Sequence, residues 1–315
     1  MDIFSIIFII LGLSVFEIIN SVDNAIINAN ILSTMREKYR KWFLFFGIFI
    51  AVFVVRGVLP WILIWISSPS IGPIGAFSAT FSNDTQILQR IEASSPILLA
   101  GAATFLMLLF LHWFFLEPKK IVLSWEKYFQ DNLFLFYAMV FSLMSIAIWL
   151  SIERNKAMAF GVVIGATMFY LVEAIKTHAQ KHQSKLAKKD ISDISKILYL
   201  EVIDAAFSID GVTGAFAFTL SVPLILIGNG IGAFVVRQLT VKNIDAINKF
   251  KYLKKGAMYS ILVIGLIMLL KSFGYSIPSW LPTIATFLIV GYFFYKSELD
   301  IKFNNKNKFN KNEKI

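Results

Sequence analysis

Apolar residues in this chain come in long blocks separated by short polar connections, most of them basic. Blocks near the roughly 20 residues that cross a bilayer as a helix fall at Ile3 to Ser33, Trp42 to Ile66, Pro96 to Leu116, Leu133 to Leu150, Ala157 to Ile175, Ile197 to Leu220, Pro223 to Leu239, Gly256 to Phe273 and Trp280 to Lys296. The pattern predicts an all-α, polytopic membrane protein of about nine transmembrane helices. Composition agrees, because 57% of the residues are hydrophobic and only 16% charged, with a mean hydropathy of +0.70, outside the range of soluble domains. The first block opens Met1-Asp2 without a basic residue and continues into an acidic cluster instead of a small-residue cleavage site. It therefore reads as a retained span and not as a signal peptide.

Cations give the orientation. Arg36, Lys38, Arg40 and Lys41 follow the first block; Lys119, Lys120 and Lys127 follow the third; Lys176, Lys181, Lys185, Lys188 and Lys189 follow the fifth. Lys242, Lys249, Lys251, Lys254 and Lys255 follow the seventh, and a Lys/Asn-rich tail from Lys302 follows the ninth. By the positive-inside rule every odd span ends in the cytoplasm, which places the N-terminus outside and the C-terminus inside a bacterial cytoplasmic membrane. Arg154, Lys156 and Lys271 run against this trend. The net charge of +10 is thus explained by cytoplasmic loops and tail, and nucleic acid is not an expected partner.

Two blocks carry carboxylates where lipid should forbid them. Glu17-Ile18-Ile19-Asn20-Ser21-Val22-Asp23-Asn24 and Asp204-Ala205-Ala206-Phe207-Ser208-Ile209-Asp210-Gly211 share a spacing that superposes Glu17 on Asp204, Ser21 on Ser208 and Asp23 on Asp210. The first lies in a span running inward and the second in a span running outward, so the helices are antiparallel and an inverted repeat is expected. Arg56 and Arg237 each lie one helix after an acidic motif. The expected organisation is a first repeat over residues 1–151, a connector helix and basic loop over 152–196, an inverted second repeat over 197–300, and a basic, disordered tail over 301–315. Such repeats place substrate near the midplane, often on interrupted helices.

A continuous helix from Ile3 to Ser33 would be about 46 Å long, against roughly 30 Å of hydrocarbon, so a break is expected at Asn20 to Asn24, and a second one before Gly211. On an ideal helix Glu17, Asn20, Ser21, Asn24 and Asn28 fall within about 100° of one another, with Asp23 about 60° beyond Asn20. Unpaired, the six buried charges would cost on the order of 15–20 kcal/mol. Four acids against two arginines leave two positive charges wanting, which one divalent cation or two protons would supply. Oxygen donors suit manganese, magnesium or calcium, and the absence of cysteine removes disulfides and thiolate ligands.

Glu17 and Asp23-Asn24 in one span, with Glu201, Asp204, Phe207 and Asp210 in the matching later span and Arg56 in the helix after the first motif, resemble the TerC-type integral membrane proteins, named for tellurite resistance. That resemblance covers most of the membrane portion. It implies a metal-ion transporter of the wider LysE-like superfamily, with manganese efflux as the activity of several relatives and the acids of both motifs as ion ligands. Asn20 stands where that family usually has an apolar residue and Gly211 where serine is common, which marks a divergent branch.

The expected function is therefore export of a divalent cation, manganese first, by alternating access. Glu17, Asp23, Asp204 and Asp210 are the expected ligands, Asn20, Asn24, Glu201 and Ser208 auxiliaries, and Arg56 and Arg237 charge-balancing groups for the empty site. Blander roles stand beside these: ion pairs that fix helix register, asparagines bonding between helices, serines packing. One alternative is a membrane scaffold or insertion factor that works through its basic surface; another is export of an amino acid or other small cation. No phosphate-binding glycine loop or nucleophile–base triad is present, so no enzyme and no prosthetic group is expected. The lipid bilayer and the transported ion are the expected partners, and a homo-oligomer is left open. His112 is a candidate proton relay, and Trp42, Trp113, Trp149, Trp280 and Tyr292 are candidates for interfacial belts.

Overall fold

The computed structural model describes residues 2–47, 49–67, 69–81, 85–119, 124–186, 191–242 and 250–312. They form helices α1 (Ile3–Asn20), α2 (Val22–Leu32), α3 (Glu37–Trp42), α4 (Arg56–Ser67), α5 (Gly72–Phe81), α6 (Thr85–Leu116), α7 (Leu133–Arg154), α8 (Lys156–Leu186), α9 (Asp193–Ala215), α10 (Val222–Lys242), α11 (Leu253–Ser272) and α12 (Leu281–Asn312). No strand occurs among the described residues. Among the described residues, five helices are long and apolar enough to cross a membrane: α1, the part of α6 from Glu92, α7, α8 as far as His178, and α11. A sixth span would be Arg56–Ile66 with Pro69–Ser78, bent by 102°. The spans at Ile197 to Leu220 and Trp280 to Lys296 coincide with parts of α9 and α12, helices that carry acids or a long polar extension.

Burial sorts the bundle into centre and periphery. Of the apolar window of α6, 78% is buried, against 17% for that of α7. Leu98 through Phe115 on α6 thus form the core, against which Phe169 and Val172 of α8 and Ile261, Ile264 and Met268 of α11 pack. Outward-facing Phe134, Phe141 and Trp149 on α7, and Ile3, Phe4 and Ile7 on α1, are exposed. An apolar outside is what lipid solvates at no cost, whereas water would not.

Close helix approach depends on glycine. A Cβ at Gly101 of α6 would stand 2.7 Å from the Gly161 carbonyl oxygen, and one at Gly161 would stand 2.5 Å from that of Ile97, with Gly165 facing Gly101. Gly161 and Gly165 are four residues apart, the small-residue spacing that lets backbones meet where no hydrophobic drive between helices exists. The ascending pairs show that α6 and α8 run parallel. Ser14 with Gly228 and Glu17 with Gly232 likewise make α1 parallel to α10.

The basic helix ends gather on one side. Arg36 bonds Asp193 at 2.6 Å, Lys196 bonds Thr34 at 3.0 Å, Lys254 bonds Glu117 at 2.6 Å, and Lys251 bonds Asp300 at 2.9 Å. Beyond the end of α6, Lys119 lies over the rings of Trp113 and Phe114 at 4.5 and 4.4 Å. Burial there pushes its amine down to about 8, with Glu126 opposing the shift.

Two expectations need correction here. Lys176 is not part of a cytoplasmic loop: it is in α8 and buried, because α8 continues helically past the apolar block. Trp113 is a core residue, 1% exposed, and not a belt residue. Separately, α12 is helical as far as Asn312. Lys120, Lys188, Lys189 and Lys249 lie outside the described residues.

Candidate functional site

The long first block does break where its polar cluster sits. Ser21 leaves helical geometry (φ −90°, ψ 2°) between α1 and α2, and its N–H still bonds the Glu17 carbonyl. Its hydroxyl donates to Glu17 Oε1 at 2.7 Å. A serine that satisfies a side chain one turn back competes with regular helix, which is why the break forms here. Glu17 is 1% exposed, and its Oε1 also accepts from Arg56 Nη2. Two π-helical segments, Phe43–Gly47 and Ile50–Val55, lead into Arg56; such bulges recur at functional sites because they rotate a side chain off the regular helical face.

The second motif is built differently. α9 runs unbroken from Asp193 to Ala215, so the expected unwinding before Gly211 does not occur. Gly211 serves packing instead: a Cβ there would stand 2.5 Å from Glu17 Oε2. Asp204 accepts from Asn24 Nδ2 through Oδ1 and from Arg237 Nη2 through Oδ2 at 3.1 Å. Arg237 is also 3.9 Å from Glu201, donates to the Phe43 carbonyl at 3.3 Å, and lies over the Phe43 ring at 4.3 Å. A side chain at Gly47 would collide with both Glu201 and Arg237.

Contacts between the motifs fall along α9 as they rise along α1 and α2: Phe16 meets Gly214, Glu17 meets Gly211, Asn24 meets Asp204. The two acidic helices are therefore antiparallel. Each leading acid is held by the arginine that follows its own motif, Glu17 by Arg56 and Asp204 by Arg237. A cavity of roughly 20 Å³ lies between them, lined by Ser21, Asn24, Asn28, Arg56, Asp204 and Arg237, enough for one water or one bare ion. The Oδ1 atoms of Asn24 and Asn28, Oε2 of Glu17 and both carboxylate oxygens of Glu201 are buried without a hydrogen-bond partner.

Not every expected ligand joins this group. Asp210 points to the other side of α9 and pairs with Lys176, whose ammonium lies 4.6 Å over the Phe207 ring. Asn20 lines the same second cavity as Asp210. Ser208 donates to the Asp204 carbonyl at 2.6 Å, so its hydroxyl is engaged with backbone. Asp23 falls in α2, but its side chain lies outside the described residues. Among the described residues no three His, Cys, Asp or Glu side chains gather around one point. What the small cavity offers a cation is one carboxylate, Asp204, and two carboxamides, Asn24 and Asn28, with Glu17 behind Arg56, a hard-oxygen set.

Lys176 also changes the charge balance. Glu17, Glu201, Asp204 and Asp210 now face Arg56, Arg237 and Lys176, leaving one negative charge in excess among these seven side chains. Sequence reasoning missed this lysine because it reads as a positive-inside flank. The signal was nonetheless present: Phe169, Val172 and Lys176 recur at i, i+3 and i+7, and all three are buried. Glu173, 3.8 Å from His112, sits one turn before Lys176 and was missed with it.

Residues 22–306 match the profile of a family described as proteins of unknown function (DUF475). No curated protein and no solved structure matches the chain.

Proposed function

We propose that this chain, which belongs to the DUF475 family, is a membrane transporter for a small divalent cation, manganese first, and that it exports the ion by alternating access. The observation that carries this reading is the crossing of two antiparallel acidic helices, whose leading carboxylates Glu17 and Asp204 are each held by a guanidinium beside an oxygen-lined cavity. A buried charge costs about 2.5–3.5 kcal/mol at a span centre, so a carboxylate cannot stand empty when the ion leaves. Arg56 and Arg237 take the ion's place, and the conformation described here is the arginine-filled one. Cargo would bind by displacing them onto neighbouring acceptors, Glu201 for Arg237 among them. The resemblance to TerC-type proteins supports the same cargo; an inverted repeat with the N-terminus outside and the C-terminus in the cytoplasm is part of the proposal.

A competing reading is favoured by one observation: every described acid of the site except Glu201 has a hydrogen-bonded cation. A scaffold whose buried pairs fix helix register would look the same. Manganese accumulation separates the two. Cells lacking the protein are complemented with wild type, Asp204→Asn and Asp23→Ala; the transporter reading requires that wild type lowers cellular manganese and that Asp204→Asn does not. Equal rescue by all three, or no effect of wild type, ends it.

A further inference from the structure

The second cavity is larger and differently placed. It measures about 250 Å³ and is lined by Asn20, Asp210, Lys176, Glu173, Glu117 and Lys254, with Ile26, Phe207 and Met258 among its apolar walls. That is room for several waters, whereas the cavity beside Arg56 and Asp204, at about 20 Å³, holds one. Its inner end is Asp210, 4% exposed, whose Oδ1 has no hydrogen-bond partner. One residue further along α9 is Gly211, against which Glu17 Oε2 rests. Its outer end is the half-exposed Glu117–Lys254 pair at 2.6 Å, where the end of α6 meets the start of α11 among the basic helix ends. The next residue, Lys255, is fixed differently: it is buried against Glu126, which also accepts from Tyr259 at 3.0 Å. Two adjacent lysines thus have unequal anchors, one locked inside and one reachable by water.

We infer that this cavity is the cytoplasm-facing vestibule through which a hydrated divalent cation reaches the buried carboxylates, and that Glu117–Lys254 is the gate at its mouth. The inference rests on the transporter reading and adds route, sidedness and hydration state to it. Small hard dications shed water reluctantly and keep several aqua ligands where they can. A wide chamber that ends beside a narrow one divides the work. The ion enters with its first shell, held by Asp210, Glu173 and the Asn20 amide, and is stripped only at the helix break, where Ser21, Asn24 and Asn28 supply replacement oxygens. Lys176 neutralises Asp210 when the chamber holds water alone.

The chain contains no cysteine, so single cysteines report access in an otherwise native background. Met258→Cys and Ile26→Cys are each placed in the full chain and treated, in sealed membrane vesicles of either orientation, with a membrane-impermeant thiol reagent. Both should react from the cytoplasmic side and not from the external side. Adding Glu117→Gln should speed the reaction about two- to fivefold, the range over which a half-exposed ion pair can hold an equilibrium. The reversed pair, Glu117→Lys with Lys254→Glu, should return it to the slow rate. Reaction from the external side, no reaction at either position, or a rate indifferent to Glu117→Gln overturns the proposal. Labelling needs no cargo, so labelled cysteines in vesicles that move no manganese would sink the transporter reading, and with it the ion route, while leaving a water-open cytoplasmic cavity. Manganese flux with both cysteines silent would sink the vestibule alone.

Discussion

Arg56 is 2% exposed and Glu17 is 1% exposed, so neither charge has water to fall back on. Removing one partner of such a pair leaves the other uncompensated, at about 3–5 kcal/mol, whereas removing both is far milder. Arg56→Gln should therefore lower stability in detergent by that amount, and Arg56→Gln with Glu17→Gln should recover most of it. A double variant as unstable as the single one would show that the pair is not the source of the loss. Lys119 gives a pH test outside the spans. Its amine is pushed down to about 8 from 10.5 by burial, so between those values the unfolded chain binds more protons than the folded one. Stability then rises with pH through that window. Melting temperatures of wild type and Lys119→Met, taken from pH 7 to 10, should converge or cross in favour of wild type as pH rises; a constant gap would refute the shift.

Helix packing here rests on missing side chains. Gly101, Gly161 and Gly165 bring α6 and α8 into backbone contact, and α6 is the helix around which the core is built. Gly165→Leu should cost at least the roughly 1–3 kcal/mol of an overpacked core, read as loss of monodisperse protein or of unfolding midpoint. Gly291→Leu is the control, because a Cβ there meets nothing within 4 Å, and it should be neutral within about 0.5 kcal/mol. Gly211→Ala is the more telling change. Its methyl would press on Glu17 Oε2, so under the proposed transporter function it should impair manganese export more than it impairs folding.

Across the whole molecule, the ion pairs Arg36–Asp193, Lys254–Glu117 and Lys251–Asp300 draw distant basic segments to one face. Apart from Arg154, Lys156 and Lys271, which run against the trend, this bias of cations to one face is what the positive-inside rule expects of a protein held in one orientation. A reporter fused after residue 315 should be active in the cytoplasm, and one fused before residue 2 should not be. The reverse result would turn the vestibule toward the outside and make the same geometry an importer.

Much of this was legible in the chain alone. Long apolar blocks determine the membrane class because hydrocarbon tolerates no unpaired backbone. The 46 Å length of the first block against a thinner bilayer locates a break, and the break lies at Ser21. One arginine per acidic motif could be read off because an uncompensated intramembrane charge is too costly to leave. What the sequence could not settle is rotation: which way each side chain on a helix faces depends on neighbours far away in the chain. Only tertiary packing turned Asp210 from Asp204 toward Lys176, set Glu17 against Gly211 on an unbroken α9, and buried Trp113 in the core. It also separated the expected single ion site into a narrow arginine-held cavity and a wide chamber, a division set by contacts between helices and invisible to any one of them.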